Sequence, residues 1–334
     1  MKFLICGLGS IGQRHFRNLK SLGEDDIVVF RTGKGSADFV ERFVNEYKPT
    51  IFTDLAESLA AKPDAAFIAN PTSRHTGAAL VAARAGCHLF IEKPIADSWD
   101  GVVELETEIK QRDLVTYIAY NLRFHPLLVK IKQWLEDKEL IGRVVSFHAE
   151  MAERVTDWHP WEDYHASYAC RRDLGGGVVL TQSHEFDYLY WLLGAVSQVY
   201  AIGGSLGDLG IEVEDVAKVI MKFTSGVTGS LDIDYLKRPP KRSLEIVTTK
   251  GRIFWDYYGK TVSFIPLDPK ESKLVVDEPY GFERNSTFLE ETRSFIKCVQ
   301  GRTLTINPLE QGLEVLKVIL SVKESLETER LLTL

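Results

Sequence analysis

The chain opens on an apolar run, Phe3-Leu4-Ile5-Cys6, that stops at Gly7 and gives way to Ile11, Phe16, Leu19 and Leu22 at roughly helical spacing. Similar switches of period recur over the first 119 residues. Ile27-Val28-Val29-Phe30 predicts a second strand, and Phe39, Val40, Phe43, Val44 and Tyr47 then share one helix face. Ala65 to Ala69 predicts a buried strand ending at Asn70-Pro71, followed by an Ala-rich helix from Ser73 to Ala85. His88 to Ile91 is the next strand, then a helix from Ser98 to about Gln111 and a last strand, Val115 to Ala119. Apolar strands alternating with helices predict a parallel sheet covered on both faces.

After residue 120 the pattern changes. A helix from Pro126 to Lys138 precedes alternating runs at Val144 to Glu150, Val216 to Phe223, Val227 to Asp234, Leu244 to Thr248, Arg252 to Tyr257 and Thr261 to Ile265. Alternation separated by turn residues predicts a large, open, mainly antiparallel sheet with one wet face. Two helices close the chain, Thr287 to Gln300 and Pro308 to about Glu327, the second with Asn307 as N-cap and Glu310 completing a capping box. The fold class is therefore α/β in two domains, residues 1–120 and 121–334, which agrees with a length of 334 residues.

Composition narrows the function classes. A net charge of −7 argues against a nucleic-acid partner. No apolar run approaches a membrane span, and Lys2 leads straight into the first strand, so a cytoplasmic location follows by elimination. Cys6, Cys87, Cys170 and Cys298 lie far apart, and His159, His165 and His184 have no ligand spacing, so no disulfide framework and no metal is expected.

Gly7, Gly9 and Gly12 have the G-x-G-x-x-G spacing between a strand and a helix. Gly7 suits the tight turn, Gly9 the approach of a pyrophosphate, and Gly12 close helix–sheet packing, while the helix start at Ser10 and Ile11 aims N–H groups at the anion. This is the signature of a Rossmann dinucleotide site. Ligands of such sheets sit at the carboxyl ends of the strands, where Asn70 to His75 and Glu92 to Pro94 also fall. An acid at the end of the second strand would bind the ribose of NAD, but the sequence there is Phe30-Arg31-Thr32-Gly33-Lys34. Arg31 and Thr32 favour the 2′-phosphate of NADP(H), with NAD(H) the alternative.

Ala69-Asn70-Pro71-Thr72-Ser73-Arg74-His75, Glu92-Lys93-Pro94, Arg123-Phe124-His125-Pro126, and Gly175-Gly176-Gly177 followed by His184 and Asp187 occur in that order after the glycine turn. Together they resemble the glucose–fructose oxidoreductase / inositol dehydrogenase / rhizopine-catabolism family of NAD(P)-dependent sugar oxidoreductases over essentially the whole chain. The resemblance implies a sugar, sugar nucleotide or polyol substrate, and a second domain whose open sheet joins subunits into a homodimer or homotetramer. It makes Lys93 the catalytic lysine, placed to stabilise an oxyanion during hydride transfer. It turns Glu92 toward the cofactor and places Asn70, Pro71, Thr72 and His75 around it.

His184 is the candidate acid/base, and Asp187 shares its helix face. Three glycines before them suit close approach of a ligand. Family members usually carry an aspartate three or four residues before this histidine, where Thr181, or Gln182, stands here. Arg123 resembles an arginine lining the substrate side, with an interdomain ion pair as the alternative. Trp158 and Tyr164, in a stretch dense in aromatics, offer flat faces for a sugar ring or else pack a long loop. Two rival functions remain: NAD-dependent glycoside cleavage without net reduction, and a regulator that senses dinucleotide without turnover.

Overall fold

The structure, a computed structural model, describes residues 1–33, 37–158 and 162–334. Lys34, His159 and Trp161 lie outside the described residues. The chain divides into two compact units, Met1–Asn121 with Arg284–Leu313, and Leu122–Glu283 with Glu314–Leu334.

The first unit begins β1 (Phe3–Cys6), α1 (Ser10–Ser21), β2 (Ile27–Phe30), α2 (Ala37–Tyr47), β3 (Thr50–Phe52) and α3 (Leu55–Ala60). It continues with β4 (Ala65–Ile68), α4 (His75–Arg84), β5 (His88–Ile91), α5 (Val102–Gln111) and β6 (Thr116–Ile118). The strands pair in parallel in the order β3-β2-β1-β4-β5-β6, so the order reverses between β1 and β4 and opens a crevice at their carboxyl ends. The hydrophobic pattern misses β3 and α3. The strand is a three-residue edge with no buried position, too short to display a period, and α3 is a six-residue helix started by the Asp54 carboxylate accepting from the Glu57 N–H at 3.0 Å. Helix α5 starts at Val102 rather than Ser98, because Gly101 before it is left-handed, φ +72°.

The second unit has α6 (Pro126–Glu136), α7 (Lys138–Ile141), β7 (Val144–Ala152), α8 (Val178–Thr181), α9 (Ser183–Leu193), β8 (Val196–Gly204), β9 (Val216–Phe223) and β10 (Thr228–Asp234). Then come β11 (Lys241–Thr248), β12 (Gly251–Asp256), β13 (Thr261–Pro266) and β14 (Leu274–Asp277). The chain ends with α10 (Arg284–Val299), α11 (Leu309–Thr328) and β15 (Leu332–Thr333). Nine strands form one mixed sheet, β14-β13-β12-β11-β7-β10-β9-β8-β15, antiparallel except for the β7–β10 pair. Strand β9 alternates buried and exposed positions throughout, as one covered face requires.

Helix α10 belongs to the first unit, and its side chains explain why. Phe67, Phe90 and Tyr117 stand in register on β4, β5 and β6, with ring centroids 4.5 Å and 5.5 Å apart. Phe295 of α10 meets all three edge-on, while His15 of α1 meets Phe67 and Phe90, so the two helices together bury the aromatic face. The start of α11 is tied to the same sheet. Asn307 does not cap the helix through its side chain as the capping box predicts; its Nδ2 donates to the carbonyls of Ile118 (2.9 Å) and Tyr120 (3.3 Å). Two strand-end carbonyls near the sheet edge win that amide from the helix.

Candidate active site

At the carboxyl ends of β1, β4 and β5 the three glycines do different things. Gly7 is left-handed, φ +105°, and a Cβ there would lie 2.7 Å from the Ala69 carbonyl oxygen. A Cβ on Gly12 would lie 2.1 Å from the Gly7 carbonyl oxygen, so this position holds α1 against the turn. A Cβ on Gly9 would meet nothing within 4 Å. Gly9 and Ser10 are exposed, and α1 starts with no side-chain cap and no acid in its first turn. An open approach and uncapped N–H groups at the positive end of a twelve-residue helix fit a dinucleotide pyrophosphate.

Lys93 follows β5 as a half-buried residue, next to Glu92, which is buried. The Glu92 carboxyl points to His15. Its Oε1 lies 2.6 Å from His15 Nε2, and its Oε2 accepts the Lys93 N–H at 3.3 Å. Burial raises the Glu92 carboxyl, but the His15 hydrogen bond, with the Lys93 charge beside it, outweighs that, so the group is held below its ordinary value as a carboxylate.

His75 is also buried, with Nδ1 2.9 Å from the Pro94 carbonyl and Nε2 2.8 Å from the Asn70 carbonyl. It clips the loop after β4 to the loop after β5. Thr72 is buried, while Asn70 and Pro71 remain half-buried on the loop. Arg31 is half-buried and Thr32 exposed at the end of β2. A cavity of about 700 Å³ lined by Lys110, Thr116, Arg302 and Glu310 lies at the amino end of β6, away from all of these groups.

In the second unit α9 carries His184. The helix has buried acids at positions 185 and 187, each paired with an arginine from another element. Arg123 grips Asp187 through Nη2 (2.6 Å) and Nε (3.1 Å and 3.2 Å), with side chains 1% and 0% exposed. Arg242 on β11 donates Nε–H to Glu185 at 2.7 Å. Burial raises the Asp187 carboxyl and the Arg123 charge offsets part of that shift. Arg123 and Asp187, expected at the substrate, form a buried pair inside one unit, and the Arg242–Glu185 pair has no local signal in the sequence because its partners are 57 positions apart. His184 is the half-buried member of this turn, between residues that are buried.

Two of the glycines before His184 make room for the chain's own atoms. A Cβ on Gly176 would lie 2.4 Å from the Tyr168 carbonyl oxygen, and one on Gly177 would lie 2.3 Å from Glu214 Oε1. Thr181 is buried beside Tyr235, whose hydroxyl donates to the Ala169 carbonyl at 3.3 Å. Trp158 packs edge-on against the Tyr235 ring at 5.4 Å, and the Tyr164 hydroxyl donates to the Leu209 carbonyl at 2.9 Å, so both aromatics pack the loop. His125, within the Arg123 motif, is buried beside Trp255, Tyr257 and Phe282. Among the described residues no group of three His, Cys, Asp or Glu side chains is placed to hold a metal.

Comparison with known proteins follows this division. Residues 1–120 match the oxidoreductase family with an NAD-binding Rossmann fold, and residues 128–254 match the GFO/IDH/MocA C-terminal domain. The chain is 28% identical to myo-inositol 2-dehydrogenase of Thermotoga maritima, over 99% of this chain and 97% of that one. Levoglucosan dehydrogenase in complex with NADH and levoglucosan superposes with a TM-score of 0.85 at 18% identity, covering 100% of this chain and 99% of that one. The WlbA dehydrogenase from Bordetella pertussis, in complex with NADH and UDP-GlcNAcA, does so with a TM-score of 0.81 at 20% identity, covering 100% and 98%.

Three outcomes follow from the geometry. Gly9→Val should fold normally and lose dinucleotide affinity in calorimetry, whereas Gly12→Ala should lower the thermal midpoint because its methyl meets backbone. Arg123→Leu should cost roughly 3–5 kcal/mol in denaturant unfolding by leaving Asp187 charged and buried, and Arg123→Leu with Asp187→Leu should recover most of it. Desolvation, with Arg242 adding to it, pushes His125 down to about 4 from 6.5. The unfolded chain therefore takes up the proton first, and stability should fall as pH drops from about 6.5 to about 4, a slope that His125→Phe should reduce in a pH series of unfolding curves.

Proposed function

The chain belongs to the NAD-binding GFO/IDH/MocA oxidoreductase family, and we propose that it interconverts a CH–OH centre and a carbonyl on a sugar, sugar nucleotide or polyol. The observation that carries this reading is Lys93, a half-buried ammonium at the end of β5, on the same sheet edge as the open glycine turn. The names of its relatives support the substrate class, since they act on a polyol, an anhydrosugar and a nucleotide sugar.

Oxidation of such a centre removes a hydride from carbon and a proton from the hydroxyl. The nicotinamide ring, when bound, supplies the hydride acceptor. Lys93 Nζ donates a hydrogen bond to the substrate oxygen and stabilises the negative charge that grows there. His184 receives the proton. Its helix turn is fixed by the Arg123–Asp187 and Arg242–Glu185 pairs, so the imidazole is presented from a rigid base. Arg31 and Thr32, with no acid at the end of β2, support NADP(H) over NAD(H). The buried Thr181, at the position where the family resemblance implies an aspartate, favours a second reading, a dinucleotide-binding protein without turnover.

The test is absorbance of the reduced nicotinamide with NADP⁺ and NAD⁺ in turn, over a panel of polyols, sugars and sugar nucleotides. Turnover with a lower KM for NADP⁺ is expected, and Lys93→Ala should lower kcat by about 10²–10³ while leaving the dinucleotide dissociation constant unchanged. Normal turnover by that variant would remove Lys93 from the chemistry. Tight dinucleotide binding without turnover across the panel would support the second reading.

A further inference from the structure

Glu291 on α10 is wholly buried, 0% exposed, and among the described residues neither carboxyl oxygen has a hydrogen-bond partner. It lies four residues before Phe295, on the helix face that covers the aromatic strands of the first unit. A carboxylate stranded there would be costly, yet nothing about packing calls for a carboxyl at this position. The charges that act on it are Arg14 of α1, whose guanidinium lies 4.4 Å from the Phe288 ring centroid one turn earlier on α10, and Glu92 at the end of β5. Arg284 of α10 acts on Arg14 in turn. His15 of α1, whose ring packs on Phe67 and Phe90 as Phe295 does, lies 2.6 Å from Glu92, and its Nδ1 is a second buried polar atom without a partner among the described residues.

Arginines offer no acceptor, whereas the Glu92 carboxylate and the Nδ1 of a neutral His15 ring do. We propose that Glu291 is a positioning residue that acts through Glu92: it supplies an O–H donor, through one water, to the buried His15–Glu92 pair and so holds Glu92 inward and Lys93 in place at the strand end. Charge supports the assignment. Burial drives the Glu291 carboxyl well above its ordinary value, the Glu92 charge adds to the shift, and Arg14 offsets only part. The two carboxyls are thus pushed apart, one neutral and one ionised. The rate effect rests on the reading of Lys93 given above, whereas the proton on Glu291 does not.

The experiment uses the full chain. In difference infrared spectra at neutral pH, the native protein should show the carbonyl stretch of a protonated carboxylic acid that Glu291→Gln lacks. A folded Glu291 that keeps its proton loses stability as pH rises above about 4.5, where the unfolded chain ionises, so the Gln variant should gain in thermal midpoint over the native protein from that pH upward. Glu291→Leu, which removes the donor, should lower kcat about tenfold with the dinucleotide KM unchanged, and Gln, which retains an N–H donor, should restore most of the rate. Absence of the acid band from the native protein overturns the proposal, as does a Leu variant with normal kcat. If Lys93→Ala turns over normally, the Lys93 reading fails while the infrared comparison still decides the state of Glu291.

Discussion

A row of aromatic rings across three parallel strands sets the terms for the first unit. Phe67, Phe90 and Tyr117 stand side by side because parallel pairing keeps their register, and their exposed edges demand a partner with the same chemistry. Phe295 provides it from α10, far along the chain. With that helix come Glu291 and the surroundings of the His15–Glu92 pair, so the packing that closes the core also sets the environment of the strand end carrying Lys93. Burial and chemistry are coupled here through one helix face.

In the second unit the governing constraint is electrostatic. Helix α9 buries two acids, and each is balanced by an arginine from a different element. Buried pairs of this kind contribute little net stability compared with apolar packing, but they are exacting about geometry. Their effect is to fix the turn on which His184 sits. Thr181, one turn earlier, and Tyr235 beside it are buried in the same floor.

Much of this was legible in the residues alone. The parallel sheet, the mainly antiparallel sheet and the glycine turn all follow from period and spacing, because a fully buried strand or a strictly alternating one leaves a local signature. What stayed hidden was non-local or atypical in its exposure. Strand β3 has no buried side chain, β14 has an exposed Leu274 and Val275, and β8 runs into Gly203 and Gly204, so none shows a clean period. The ligand roles expected of Arg123, Asp187, His75 and Glu92 come largely from the family resemblance. In the structure all four have partners within the protein, Asp187 at 64, Pro94 at 19 and His15 at 77 positions away among them, and no local pattern reveals these.

The composition of the first unit has a consequence for how the protein is made. Its sheet is complete by Ile118, but Phe295 and the Asn307 amide arrive only after the whole nine-stranded sheet except its last short strand has been synthesised. During translation the nucleotide-binding half therefore waits with a greasy flank uncovered, a species chaperones recognise and one prone to self-association. A gene fragment cut after the sixth strand would encode that waiting state permanently, and a faithful miniature of the half would need the later helix stitched back on.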